Sequence, residues 1–108
     1  RALVEGHYYL ATGLGGGLGV PTPEGMANFE KAVATYAALI ARDSLVAEAW
    51  YGWADANFHG RSNTDLAVLR ERNNNALTGF HRTLAVDSSF HLAYSHLVQL
   101  YNQATQPN

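Results

Sequence analysis

Tyr36-Ala37-Ala38-Leu39-Ile40-Ala41-Arg42-Asp43-Ser44 and Phe80-His81-Arg82-Thr83-Leu84-Ala85-Val86-Asp87-Ser88 are two versions of one pattern, 44 residues apart. The shift pairs Tyr36 with Phe80, Ile40 with Leu84, Ala41 with Ala85 and Asp43 with Asp87, and it continues to Ala49 over Ala93 and Trp50 over Tyr94. A shift of about 43 also lays His7-Tyr8-Tyr9-Leu10-Ala11 over Trp50-Tyr51-Gly52-Trp53-Ala54. Sequence periods of roughly 20–50 residues mark stacked arrays, in which each supersecondary unit buries its apolar face against the next.

Outward from this repeat, the spacing of apolar residues predicts helix along almost the whole chain. Phe29, Val33, Tyr36, Ala37 and Ile40 recur at three- and four-residue intervals, which puts them on one helical face. Thr22-Pro23-Glu24 offers a cap, a Pro at the first helical position and an early acid; Asp43-Ser44 ends the segment. Punctuation at Gly60, Ser62-Asn63-Thr64-Asp65 and Asp87-Ser88-Ser89 bounds the rest. The expected helices lie near 2–12, 23–42, 46–59, 64–86 and 90–104, although Asn73-Asn74-Asn75 and Gly79 are poor helix formers in the fourth. No segment alternates like a strand.

The chain of 108 residues is one domain's worth, large enough to bury a core without staples. It contains no cysteine, which excludes thiolate metal sites and cysteine nucleophiles and leaves the redox compartment open. The sequence leaves the location unknown, with an extracytoplasmic or cell-surface place leaned to over the cytoplasm. The net charge of −2 argues against nucleic acid. Charged residues make up only 15% of the chain, against about 25% in an ordinary domain, which suits either a solvated neutral surface or one partly covered by other chains. The uncharged stretch from Gly6 to Pro23 is broken by six glycines and Pro21, so membrane insertion by this segment is not expected. The opening at Arg1 suggests a fragment of a larger protein or assembly.

Trp50-x-x-Trp53-Ala54 and Tyr94-x-x-Leu97 resemble the first-helix pattern of the tetratricopeptide (TPR) repeat family. Ala76, Phe80, Thr83 and Ser88, with the earlier copy Ala32, Tyr36, Leu39 and Ser44, are similar to its second-helix pattern. The sequence departs from the family in Leu39, in Ser where Pro is usual at both breakers, and in about ten extra residues within each helical pair. Thr22-Pro23-Glu24-Gly25, Phe29-Glu30-Lys31-Ala32 and Ala49 to Asp55 look like repeat regions attached to bacterial Ser/Thr kinases, adenylate cyclases and winged-helix regulators. The resemblance implies an all-α, TPR-like helical repeat array (an α-solenoid) of five helices and about two and a half repeats. It also implies a protein-interaction module, a scaffold or peptide-binding groove of a larger bacterial protein, rather than an enzyme.

By that resemblance the concave face carries Tyr8, Thr12, Glu48, Tyr51, Asp55, Ser95, Gln99 and Asn102, where an extended or helical peptide would lie. The basic clamp some members use on carboxylates is missing, since Glu48 and Asp55 stand in its place. Trp50, Trp53, Phe80 and Tyr94 occupy positions expected in the core. The last helix has no successor, so part of its apolar set, Leu92, Leu97, Val98, Leu100 and Tyr101, is expected to be open to another protein. The alternative function is structural: head-to-tail stacking of identical copies into a filament or large oligomer.

No motif points to catalysis or to a cofactor. The Gly13 to Gly19 run lacks the preceding strand and following Lys-Ser/Thr of a phosphate loop, and reads as a helix connector. Among His7, His59, His81, His91 and His96, the close pair His91 and His96 is turned about 140° apart on a helix, and no His-Glu-x-x-His occurs, so no metal site is expected.

Overall fold

The three- and four-residue spacing is realised as helix throughout. The computed structural model describes residues 2–14, 23–60 and 65–105. They form α1 (Ala2–Leu14), α2 (Pro23–Arg42), α3 (Ala47–His59), α4 (Leu66–Val86) and α5 (His91–Thr105), with no strand among the described residues. Thr22, the Ser62-Asn63-Thr64 caps and most of the Gly13 to Gly19 connector lie outside the described residues; Gly13 and Leu14 close α1. Each helix packs on the next in sequence, and α1 also reaches α3. The 20 residues of α2 span about 30 Å at 1.5 Å per residue, on the scale of the molecule's 37 × 31 × 24 Å.

The 44-residue repeat recurs in the hydrogen bonds. Asp43 accepts the Leu45 N–H on Oδ1 (3.0 Å), and Asp87 accepts the Ser89 N–H in the same way (3.0 Å). Each aspartate thereby turns the chain out of one helix and into the next. Behind each turn an aromatic ring donates to a serine carbonyl: Trp50 Nε1–H to Ser44 (2.8 Å), and the Tyr94 hydroxyl to Ser88 (3.0 Å). At both turns the aspartate makes the turn and the aromatic residue holds it, with serine as the acceptor.

These tethers correct two core assignments. Trp50 is half-buried and Tyr94 is 47% exposed, because each uses its polar atom on a surface turn. Trp53 is also half-buried. The core forms two clusters, with Phe80 buried as expected. Ala32, Tyr36 and Ala56 join α2 to α3 with Leu3 and Leu10 of α1; Ala54, Phe58, Ala76, Phe80, Ala93, Leu97 and Leu100 join α3, α4 and α5.

Helix ends follow local chemistry. Asp65 caps α4, its Oδ1 accepting the Ala67 N–H at 2.9 Å. Asp65→Ala is expected to lower the unfolding free energy by about 1 kcal/mol, read as a reduced urea midpoint at unchanged slope. Gly60 closes α3 in a right-handed conformation: its φ is −79°, and its N–H donates to the Ala56 carbonyl at 3.0 Å.

Candidate functional site

The chemistry-bearing side chains converge on the last two turns of α3. Asn57 is fully buried; its amide donates to the Trp53 carbonyl (2.8 Å), and its oxygen accepts from Arg72 (3.0 Å) and Asn75 (3.2 Å) of α4. Arg72 also pairs with Glu30 of α2, so one polar network ties three helices. Asn75, unpromising by helix propensity, is present because its side chain completes this network.

Asp55 lies on another side of α3, buried to 8% exposure. One helical turn later His59 brings Nε2 to 3.2 Å from Asp55 Oδ1, and His96 of α5 brings its own Nε2 to 3.2 Å from the same oxygen. The imidazoles are packed by rings: Phe80 stacks on His96 at 4.8 Å, Phe29 stacks on His59 at 6.0 Å, and Phe58 stands edge-on to both at 5.3 Å. Burial pushes the Asp55 carboxyl up, but the adjacent imidazoles outweigh it and hold the group at about 2. The same proximity raises the pKa of His96 against its burial, helped by the Leu92 carbonyl at 2.9 Å from Nδ1. Tyr51 leans over the cluster, its hydroxyl 3.3 Å from His96 Nδ1, and burial with the Asp55 charge pushes its ionisation up to about 12.

The residues expected on a concave face are distributed differently. Glu48 and Tyr8 are exposed on α3 and α1, and Ser95, Gln99 and Asn102 are exposed on α5. Asp55 is buried and Tyr51 half-buried where α5 covers them, so neither stands on an open groove. Thr12 lies in α1, but its side chain is outside those described. Of the five residues expected at the open end, Leu97 and Leu100 point into the core; Leu92, Val98 and Tyr101 are exposed at 58%, 59% and 51%.

Sequence reading missed the grouping of Asp55, His59 and His96. The Asp55-x-x-x-His59 spacing, one turn on one helical face, was its only local signal. His96 joins through packing of α5 on α3, which no spacing reveals.

At the other end of α3, Tyr36 is completely buried and its hydroxyl meets His7 Nδ1. Burial, followed by the charges of Asp55 and Glu48, pushes Tyr36 ionisation far above the usual tyrosine value. A group with a raised folded-state pKa stabilises fully below its unfolded value and loses that contribution as pH climbs toward the folded one. The unfolding midpoint is therefore expected to fall above about pH 10, and Tyr36→Phe to make that alkaline fall shallower in urea titrations.

No described helix is long and apolar enough to cross a membrane. Comparison with models of known protein families, with curated proteins and with solved structures finds no match for the chain.

Proposed function

We propose that the chain is a protein-interaction module of a larger bacterial protein, built as a TPR-like array, and that the outer face of α5 receives a further helix. The observation that carries this reading is a difference between two faces related by the 44-residue repeat. On α3, Ala54 and Asn57 lie under α4, one turn beyond the half-buried Trp50: Ala54 is fully buried beneath Gly79, and Asn57 is bonded by Arg72 and Asn75. The corresponding residues of α5 are Tyr94, Val98 and Tyr101, spaced four and three apart and therefore on one strip. They are exposed at 47%, 59% and 51%. A face that one copy of the repeat covers with a helix is open in the other.

Helix-in-groove recognition uses apolar anchors at this spacing, with Tyr suited to a face that is wet before binding and dry after it. The same strip supports the second reading, self-assembly, which the 15% charged fraction favours. Light scattering of the isolated chain tests the face. The mass is expected to rise with concentration for the wild type and to stay monomeric for Val98→Glu with unchanged circular dichroism. A strictly monomeric wild type, identical to the variant in mass and in binding of an apolar dye, would remove the support for either reading.

A further inference from the structure

The geometry points to a divalent transition-metal site in which Asp55 Oδ1, His59 Nε2 and His96 Nε2 hold one ion of the zinc class, with a fourth position left for water or an exogenous ligand. The three atoms lie within 4.8 Å of one another. Both nitrogen-to-oxygen separations are 3.2 Å. Ligands bound at about 2.0–2.1 Å to a tetrahedral ion stand about 3.3 Å apart, so two edges of such a site are already in place. The remaining nitrogen-to-nitrogen edge is no longer than 4.8 Å and would shorten by rotation of the His59 side chain. That residue is at the C-terminal end of α3, with its side chain 32% exposed, which also gives an ion a path in.

Hydrogen bonding alone does not account for this arrangement. Asp55 Oδ1 is buried and accepts no well-directed hydrogen bond, although two imidazole nitrogens stand within reach. Neither ring presents an N–H along the line to the oxygen. The Leu92 carbonyl, which can only accept, lies 2.9 Å from His96 Nδ1 and assigns the proton of the neutral ring to that nitrogen. In the neutral ring Nε2 of His96 then carries a lone pair beside the Asp55 carboxylate, and an ion set off the two nitrogen-to-oxygen lines would be shared by all three donors.

The surroundings have the features of a metal site's outer shell. A ligating histidine ordinarily gives its second N–H to a carbonyl or carboxylate, as His96 gives Nδ1–H to Leu92. Phe29, Phe58 and Phe80 pack the imidazoles and lower the local dielectric, which strengthens the attraction of an ion for the Asp55 carboxylate. Two imidazoles and one carboxylate suit zinc, cobalt and nickel, not the all-oxygen preference of calcium or magnesium. The ion would clamp α5 to α3, so binding is expected to raise the thermal midpoint.

The test is calorimetric titration of chelator-stripped chain with ZnCl2 at neutral pH, repeated for His59→Gln and for His91→Gln. One Zn2+ per chain is expected for the wild type and for His91→Gln, with affinity at least about tenfold weaker in His59→Gln. Carbethoxylation of the wild type, mapped by mass, provides a reading that needs no variant: Zn2+ should protect His59 and His96 while His81 and His91 remain reactive. Absence of binding by the folded wild type, equal affinity in His59→Gln, or protection of other histidines in place of these two would overturn the assignment.

Discussion

Phe80→Ala is expected to lower the unfolding free energy by about 3–5 kcal/mol, the range for truncating a fully buried large aromatic side chain. Phe80 has no exposed surface and sits where three helices meet, among Ala54, Phe58, Ala76, Ala93, Leu97 and Leu100. Its ring also packs on Tyr51 at 5.6 Å and on His96 at 4.8 Å, so truncation leaves a cavity lined by groups that other bonds fix in place. Total stability of a single domain is about 5–15 kcal/mol, so the variant is expected to be partly unfolded at moderate temperature. Trp53→Ala, at a half-buried position, should cost distinctly less. Urea midpoints for the two variants check the order, and equal losses would mean that the α3–α4–α5 core is misplaced.

Gly79→Ala is expected to destabilise by about 1–3 kcal/mol, opposite in sign to the gain of about 1 kcal/mol that helix propensity alone predicts. A Cβ there would lie 2.6 Å from Ala54 Cβ and 3.1 Å from Ala54 Cα, and the latter is backbone that a rotamer change cannot move. Gly79 thus sits at a close approach of α3 and α4. At Gly52 an added Cβ would meet the ring of Tyr36, a side chain that is fully buried and has no open space to swing into. A stabilised Gly79→Ala variant in thermal melts would show that the two helices are farther apart than described.

The comparison of sequence with structure turns on these residues. The five helices were legible because helix punctuation and apolar spacing are local, and Asp43 and Asp87 mark their turns in equivalent places. Gly79 and Asn75 looked like defects in α4, because propensity records what a residue costs its own helix and not what it gives to the neighbouring one. The pattern positions of Trp50 and Tyr94 point to the core, although one polar atom on each ring is enough to hold it at a surface turn. Spacing identified the apolar set of α5 but not its split into inward Leu97 and Leu100 and outward Val98 and Tyr101, which depends on where α3 and α4 lie. The histidines were compared within one helix, His91 with His96, whereas His96 meets His59 of α3 across the carboxylate of Asp55.

Helix α3 is covered by α4 at Ala54 and Asn57, the face that its repeat counterpart α5 leaves exposed at Val98 and Tyr101. Native-state hydrogen exchange of the dilute isolated chain tests it most directly, because amides of an element with a face uncovered open locally at lower free energy than those of an enclosed one. The amides of Ala54 to Phe58 are predicted to exchange only through global unfolding, and those of Val98 to Asn102 through a separate, faster opening. Equal protection in the two segments, carrying the same denaturant dependence, would contradict the account.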